Sequence, residues 1–325
     1  MPSSRSRAVF LLISLALLLA APVRAQNITC TASMSALAFG NVNPLASLTT
    51  ANATLNYTCT NSANSQRSAT VCFSIGEPAG AQTNPRLMHD GAGDSLQFQL
   101  YQNASYSLVW GSTFFGSFVT PLQVPITLAA RGTTGARTAT MYGQVLNGQT
   151  AAIPGSYTDV YMNGDTAVTI NEVAGAAPPA SCSGTQTGTY FPFTVSAPVG
   201  KQCNVTPTTL DFGTVGLLIA NTPGTSTIGV QCSSGSAYNV GLDAGLGGGG
   251  NINARQMALG ANRIAYQLYS NTTRTTVWGN TVGTNTVAGT GNGNVQNLTV
   301  YGSVPAQTTP SAGVYTDTVV VTVTY

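Results

Sequence analysis

The sequence predicts an all-β protein made of two β-sandwich domains, and three observations support this prediction. Short runs in which apolar and polar residues alternate are rich in Thr, Val and aromatic residues, as is typical of strands. Clusters of Gly, Asn, Ser and Pro separate these runs at intervals of roughly 8–12 residues, which favours a sandwich of short strands. The ordered motifs of the first half recur in the second half, which indicates a duplicated domain.

The N-terminal segment is predicted to be an export signal that is removed. Arg5 and Arg7 form a basic start, and Ala8–Ala21 is a nearly unbroken apolar run that small residues connect to Gln26. This run is too short, and too close to a cleavage site, for a transmembrane anchor. We therefore expect a signal peptide at residues 1–25 and an exported protein.

The remaining stretch of about 300 residues suits two domains of ordinary size, which we place at residues 26–200 and 201–325. Only 6% of the chain is charged, and without the three arginines of the signal peptide eight basic residues face nine acidic ones. Because nucleic-acid binding rests on clustered Lys and Arg, and Lys201 is the only lysine, we expect no nucleic-acid partner. A composition with 43% apolar residues also argues against a disordered chain.

The internal repeat consists of anchors that recur in one order. The first two cysteines of each half are 29 residues apart, and 12 residues separate an aromatic residue from the tryptophan in both halves. The matched residues are Cys30 and Cys203, Leu37 and Leu210, Phe39 and Phe212, Cys59 and Cys232, Phe98–Tyr101 and Tyr266–Tyr269, Trp110 and Trp278, Tyr142 and Tyr301, and Tyr157–Asp159 and Tyr315–Asp317. Each half is therefore expected to fold on the same plan.

The six cysteines lie after the signal peptide, where an oxidising compartment favours disulfides. Equal spacing makes Cys30–Cys59 and Cys203–Cys232 the natural pairs. Cys72 and Cys182 have no counterparts in the second half, so we pair them with each other. Two free thiols are the alternative for this last pair.

Strands can be placed along the first domain from the alternating pattern. The predicted strands are Ile28–Met34, Ala53–Thr60, Thr70–Ile75, Leu96–Gln102, Val124–Ala130, Thr138–Leu146, Tyr157–Met162, Ala167–Val173 and Thr189–Val199. Asn163-Gly164 is either a hairpin turn or a bulge in one long strand. The second domain repeats this plan with fewer additions.

Catalytic and cofactor chemistry finds little support in the sequence. His89 is the only histidine and no CxxC pair occurs, so we expect neither a metal site nor a cofactor. A secreted hydrolase built on His89 is disfavoured because no GxSxG elbow accompanies it. Asp159 and Asp317 occupy matched positions, and we expect both to bond nearby backbone where a strand starts. Trp110 and Trp278 are matched too, which predicts core packing.

Aromatic residues found only in the first domain are the candidates for surface binding. Gly111–Pro121 carries Phe114, Phe115 and Phe118, whereas the matching Gly279–Gly289 has no aromatic residue. Exposed apolar loop tips would form an adhesive surface, and packing beneath their own loop is the alternative. Weaker candidates lie in two other loops: Leu45, Leu48 and Ile153.

The final segment, Tyr315–Tyr325, is predicted to be a long apolar strand. One face carries Tyr315, Asp317, Val319, Val321, Val323 and Tyr325. A flat, apolar strand at an edge pairs with another chain unless something covers it. Its first-domain copy, Tyr157–Val160, is followed by Thr189–Val199, which can close that sandwich within the chain.

These motifs resemble the spore coat U family, which includes subunits of archaic, Csu-type chaperone–usher pili. The resemblance rests on Cys-x8-Phe-Gly, the cysteine spacing, the YQLY…VWG segment and the terminal YTDTVVVTVTY. It implies immunoglobulin-like sandwiches, of which the C-terminal one lacks its final strand. A periplasmic chaperone, and later the adjacent pilin subunit, would fill that gap by β-augmentation beside Tyr315, Val319, Val321, Val323 and Tyr325, with an outer-membrane usher assembling the fibre.

The two-domain layout resembles a pilus tip adhesin that binds hydrophobic or host surfaces and promotes biofilms. Gln26–Thr29 spans only about 13 Å, against about 36 Å for Tyr315–Tyr325, at roughly 3.3 Å per residue. The expected mature N-terminus is therefore too short to donate a strand, which predicts a position at the end of the fibre. A non-adhesive coat protein or minor pilin with the same fold is the alternative.

Overall fold

The computed structural model describes residues 26–46, 48–78, 83–114, 118, 120–183 and 185–325. The predicted signal peptide, residues 1–25, lies outside this part of the chain. The described residues form strands and turns without an α-helix, which confirms the all-β prediction. Within them no helix is long and apolar enough to cross a membrane.

Twelve strands form the first sandwich. They are β1 (Ile28–Met34), β2 (Leu37–Ala38), β3 (Thr49–Asn61), β4 (Arg67–Ile75), β5 (Arg86–His89), β6 (Ser95–Tyr101), β7 (Leu122–Leu128), β8 (Arg137–Val145), β9 (Gly155–Tyr161), β10 (Thr166–Ala174), β11 (Thr185–Gln186) and β12 (Phe193–Val199). One sheet has the order β1-β3-β8-β6-β5-β9-β12-β2 and the other has β11-β10-β4-β7.

Alternation along these strands explains why they form a two-layer sandwich. In β3, Leu55, Tyr57 and Cys59 point inward while the residues between them face solvent. In β4 both faces are buried, because this strand lies in the middle of its sheet and beneath a crossing segment. The inward side chains form one continuous core around Trp110 and Phe73.

The path around Asn163-Gly164 is a crossing between sheets and not a hairpin. β9 pairs with β12, whereas β10 pairs with β4 in the other sheet. The Asp165 amide donates to Met162 O at 3.1 Å, and Gly164 has φ +102°, a value that favours glycine. The chain thus crosses from one layer to the other through a β-turn at Met162–Asp165, which is neither a hairpin turn nor a bulge in one long strand.

Nine strands form the second sandwich. They are β13 (Cys203–Pro207), β14 (Thr222–Cys232), β15 (Ala237–Leu242), β16 (Gln256–Leu259), β17 (Asn262–Ala265), β18 (Gln267–Tyr269), β19 (Val287–Thr290), β20 (Val295–Val304) and β21 (Val321–Thr324). The sheets have the orders β13-β14-β20-β18, β19-β15-β21 and β16-β17. A separate core surrounds Trp278.

Each core contains the same tryptophan hydrogen bond, as the repeat predicts. The Trp110 indole donates to Phe73 O and the Trp278 indole to Val240 O, both at 2.8 Å. These matched bonds satisfy the only polar atom of each buried indole, as a core tryptophan requires.

A buried arginine in each domain was not identified from the sequence. Arg255 donates to three main-chain carbonyls, those of Leu242, Asp243 and Trp278, at 2.7–3.0 Å. Arg86 does the same at the matched position of the first domain, and it also bonds Gln99. Each guanidinium thereby satisfies carbonyls where a strand ends, which a buried backbone requires.

Three disulfides join the cysteine pairs that the sequence predicts, two from their equal spacing and one from the cysteines left over. Cys30–Cys59 and Cys203–Cys232 link neighbouring strands of matched hairpins, β1 to β3 and β13 to β14. Cys72–Cys182 fixes the segment that follows β10 against the centre of β4. The described residues include no free cysteine.

Candidate functional site

An open groove runs along the second sandwich between two stretches of chain. One wall is Pro207–Phe212 and the other is Val314–Val321. Its two adjoining sections have cavity volumes of about 510 and 620 Å³. Leu210, Phe212 and Met257 contribute to both sections, so the lining is mainly apolar.

The corresponding place in the first sandwich is filled by β12. This strand runs antiparallel to β9, with Val195 opposite Asp159, and parallel to β2, with Val195 opposite Leu37. Further along, the Phe39 amide donates to Ser196 O at 2.9 Å and the Val42 amide to Pro198 O at 2.8 Å. The strand therefore joins the two walls of the groove into one sheet.

Matched side chains show what the absence of such a strand does to the second domain. In the first domain, where β12 is present, six matched core residues are buried: Leu37, Phe39, Met88, Leu96, Tyr161 and Val168. Their counterparts are only partly buried: Leu210, Phe212, Met257, Ile264, Val319 and Val323. The same core positions thus remain open on one side, which leaves apolar surface in contact with water.

Unpaired backbone groups also line the groove. Thr316 exchanges two hydrogen bonds with Ala258, at 2.8 and 3.2 Å, so its neighbours Tyr315 and Asp317 direct their N–H and C=O groups to the opposite side. Residues 201–325 are all described, and within them the amides of Phe212 and Val215 have no hydrogen-bond acceptor. Both walls of the groove therefore present unpaired backbone groups along their inner edges.

The polar groups at the floor of the groove satisfy one another. The Tyr266 hydroxyl donates to Asp317 Oδ2 at 2.6 Å, and the Leu246 amide donates to Asp317 Oδ1 at 2.8 Å. Burial, and then the bond to Asp317, raise the pKa of Tyr266 far above its usual range, so this hydroxyl stays protonated. What remains for a ligand is apolar side chains and backbone edges.

Tyr315 and Tyr157 hold the start of the same strand in both domains. The Tyr315 hydroxyl donates to Ser311 O at 2.7 Å, and the Tyr157 hydroxyl donates to Ile153 O at 2.8 Å. A tyrosine that bonds backbone a few residues upstream is a tyrosine corner, a feature of immunoglobulin-like sandwiches. The register of this strand is thus fixed whether or not the groove is filled.

The five residues proposed for strand acceptance lie along the Val314–Val321 wall and the strand β21 that follows it. Tyr315, Val319 and Val321 line the groove. Val323 packs against the core from β21, where it pairs with Val240. Tyr325 follows the end of β21 and is exposed.

The opposite wall was not identified as a site from the sequence. Leu210 and Phe212 were recognised only as repeat anchors, and Met257 was not singled out. The Leu-x-Phe-Gly repeat could have pointed to them, because a strand that inserts beside β9 must also meet the segment around Leu37. Periodicity shows which face a residue occupies but not which partner it meets.

The phenylalanines of the loop Gly111–Pro121 do not all lie on the surface. Phe114 is 45% exposed, whereas the Phe118 ring lies 4.7 Å from the Arg86 guanidinium and covers that buried cation. Phe115 lies outside the described residues. Of the described pair, Phe114 alone presents a large apolar surface to solvent.

The weaker loop candidates lie near the other end of the first sandwich. Leu48 is 47% exposed and Leu45 is half-buried, on a loop that follows the bridge between Val42 and Val199. Ile153 is exposed, and a side chain at Gly235 of the second domain would come within 3.6 Å of it. These residues are thus close to where β12 leads towards the second domain.

The remaining polar candidates do not gather into a site. His89 is exposed at the end of β5. Burial raises the pKa of Asp159 to about 6, although Arg86 opposes this shift. Asp317 Oδ1 also accepts a bond from the Thr318 amide at 2.8 Å, a nearby-backbone contact as expected. The described residues hold no group of three metal-ligating side chains.

Comparisons with known proteins agree with this architecture. A family model described as Spore Coat Protein U domain matches residues 15–162 and 189–322. Protein U of Myxococcus xanthus is 34% identical over 145 residues, which are 40% of this chain and 80% of that protein.

Two solved structures are similar over most of the chain. The CsuC–CsuE chaperone–tip adhesion subunit pre-assembly complex of Acinetobacter baumannii has a chain that matches with a TM-score of 0.54 and 15% identity, over 91% of this chain and all of that one (100%). The CupB6 tip adhesin from Pseudomonas aeruginosa matches with a TM-score of 0.31 and 11% identity, over 91% of this chain and 94% of that one. The first likeness shows a shared fold.

Proposed function

The chain belongs to the Spore Coat Protein U domain family, and from this premise we propose that it is the tip subunit of a chaperone–usher pilus. Its second domain accepts a strand from another polypeptide, and its first domain attaches the fibre to surfaces. One observation carries the proposal: β12 fills a groove in the first domain that stays open at the matched place in the second.

The open groove gives the second domain a strong tendency to acquire a strand. Burial of one aliphatic or aromatic side chain stabilises a fold by roughly 1.5–3 kcal/mol. The inward side chains of β12, such as Phe193, Val195 and Val199, supply this burial in the first domain. A strand from another chain would supply it in the second, together with hydrogen bonds to both free edges.

Two successive partners are proposed, because the groove must be covered both before and after assembly of the fibre. A free strand edge beside apolar surface leads to aggregation, so a periplasmic chaperone would cover it first. The adjacent pilin subunit would replace that chaperone at an outer-membrane usher. The complex of similar fold pairs a tip subunit with a chaperone before assembly, which supports this order.

The N-terminal residues of the described chain are part of the first sandwich. The Asn27 amide donates to the Glu172 carboxylate at 3.0 Å, and Ile28 is buried in β1. Residues from Asn27 onward therefore belong to the first sandwich and are not free to complement a neighbour. Residues 1–25 would be removed during export through the periplasm.

Attachment is proposed for the loop at Gly111–Pro121, with Phe114 as its exposed aromatic residue. An apolar tip of this kind suits hydrophobic or host surfaces and the early steps of biofilm formation. We leave Leu45, Leu48 and Ile153 out of this surface, because they lie at the end from which β12 leads to the second domain.

Two neighbouring valines allow a controlled test of strand acceptance. Val319→Asp places a carboxylate inside the groove, and Val320→Asp places one on the exposed neighbour, which is 54% accessible. We expect the first variant to lose co-purification with a pilus chaperone at least tenfold, because a buried unpaired charge is costly. The second should bind normally. Equal binding by both variants would exclude the groove as the acceptor site.

The attachment proposal is tested by changing Phe114, Phe115 and Phe118 together to Ala, alongside Phe118→Ala alone, which separates loss of the ring over Arg86 from loss of exposed surface. We expect bacteria with this variant on their pili to bind polystyrene at least fivefold less, since the apolar contact area is removed. Val282→Ala, an exposed residue on the matching loop of the second domain, is the control and should leave binding unchanged. Unaltered attachment by the triple variant would contradict the assignment.

A non-adhesive coat protein or minor pilin is the second candidate. It is favoured by the family description, which names a spore coat protein. Such a protein would still need the groove filled, so the Val319→Asp result would be the same. Only the attachment assay separates the two roles.

A further inference from the structure

The shape of the groove in the second domain restricts which strand can fill it. The side chains of β12 at the matched place in the first domain show what fits. We infer that this groove selects a strand with three consecutive inward side chains in the order large, branched aliphatic, small. This inference rests on the proposed function and names the chemistry of the partner. It follows from positions that the two domains share.

The tyrosine corners set the direction and register of the strand that enters the groove. Tyr157 and Tyr315 start the same strand and make the same bond to backbone. In the first domain Ala197 lies opposite Tyr157, Val195 opposite Asp159 and Phe193 opposite Tyr161. The matching positions of the second domain are Tyr315, Asp317 and Val319, so the incoming strand runs antiparallel to them and ends near Tyr315.

A small side chain is required opposite Tyr315. Ala197 and Tyr157 are both fully buried, and Cβ atoms of directly opposed residues lie about 4.5–5.5 Å apart. The tyrosine ring therefore occupies the space that a longer donor side chain would need. Since the Tyr315 hydroxyl is tied to Ser311 O, its ring cannot move away without losing that bond.

A large side chain fits opposite Val319. Phe193 stacks on Tyr161 with ring centroids 4.4 Å apart. Val319 replaces that tyrosine by a much smaller residue, so the matched pocket has more room and leaves Leu268 and Met257 to be covered. An aromatic donor residue would fill this space, because protein interiors are close-packed.

An uncharged branched side chain fits between them. Both Asp317 oxygens already accept bonds, from the Tyr266 hydroxyl and from the Leu246 amide. An acidic donor residue would face this carboxylate, and a polar one would otherwise meet the apolar side chains that line the groove. Val195 covers the matched Asp159 in the first domain.

The chain offers its own probe for this selection. The pairing of Val323 with Val240 matches that of Val168 with Phe73, so Tyr325 corresponds to Ile170. A second copy of residues 171–199 appended to Tyr325 therefore carries a native-length connection and a native strand to the groove. Cys182→Ser in the appended copy avoids a competing disulfide.

Three versions of this appended copy give the test, each in the full chain. One keeps the native order, one carries Ala197→Leu, and one carries Phe193→Ala with Ala197→Phe, which reverses the size order. Amide hydrogen exchange at Tyr315, Asp317 and Val319 reports strand pairing, and the thermal midpoint of the second domain reports stability. The native copy should protect these amides and raise the midpoint by more than about 10 °C.

The two altered copies should raise the midpoint by less than half of that shift. If all three copies protect and stabilise the domain equally, the size order is wrong while the acceptor role stands. If no copy protects the amides of Tyr315, Asp317 and Val319, the acceptor role itself is contradicted. The two failures are therefore distinguishable.

Discussion

At the scale of single residues, the two aspartates of the repeat show how a covering strand changes a side chain. Asp317 lies at the floor of an open groove, where Tyr266 and Leu246 satisfy its oxygens. Asp159 is covered by β12, and burial raises its pKa to about 6. Burial in the closed sandwich thus shifts the protonation equilibrium of Asp159.

The raised pKa of Asp159 predicts how the stability of the first domain depends on pH. Folded Asp159 binds its proton more tightly than unfolded aspartate, whose ordinary pKa is 3.8, so the free energy of unfolding falls as pH rises from about 4 to about 6. Arg86 and Asp165 are the charged groups nearby, and the first opposes the shift while the second adds to it. Above pH 6 the cost of the buried carboxylate is complete.

Asp159→Asn should remove that cost. We expect the variant to match the natural protein near pH 4 and to be more stable by about 1–3 kcal/mol at pH 7, since one pKa unit is about 1.4 kcal/mol. Thermal unfolding of both proteins between pH 4 and 7 measures the difference in stability between them. The second domain is the same in both and does not contribute to this difference. Parallel stability curves across this range would contradict the assignment.

At the scale of elements, β12 is the strand that separates a closed sandwich from an open one. Val195 is its central inward residue, and Thr194 beside it faces outward and is half-buried. Val195→Asp should cost the first domain at least about 3 kcal/mol, because the new carboxylate is buried beside Asp159 without a partner. Thr194→Asp should cost less than about 1 kcal/mol.

Two readouts check this prediction. Chemical denaturation gives the stability loss, and binding of a hydrophobic dye shows whether the groove of the first domain opens in the Val195→Asp variant. A loss of less than about 1 kcal/mol, with unchanged dye binding, would mean that β12 does not close the sandwich.

Most of the elements could be predicted from the sequence because most strands bury one face and expose the other. The alternation along β3, β8 and β12 places these strands directly, and the repeat carries their order to the second domain. The cysteine pairs follow from the same repeat. Local pattern was sufficient wherever a residue's burial depends on its own strand.

What the sequence could not show depends on contacts between distant segments. Phe118 covers Arg86, and nothing in its loop sequence distinguishes it from the exposed Phe114. The sequence Asn163-Gly164 suits a hairpin as well as a bulge, and only the partners of β9 and β10 show that it is a turn between two sheets. The wall at Leu210 becomes a site only when it faces Tyr315.

At the scale of the whole molecule, the repeat gives one closed sandwich and one sandwich with an open groove. The first contains its own twelfth strand, a third disulfide and a tethered N-terminal segment. The second presents two free edges and a row of half-buried core residues. Our proposal assigns surface attachment to the first domain and strand acceptance to the second, because only the second has an open groove.

The central claim is that the second domain is stable in solution only with a strand from another polypeptide. Its most direct test is the soluble yield and oligomeric state of the full chain, expressed in a periplasm with and without a pilus chaperone. We predict a soluble one-to-one complex with the chaperone, and degradation or aggregation without it. A stable, soluble monomer obtained without any partner would contradict the account.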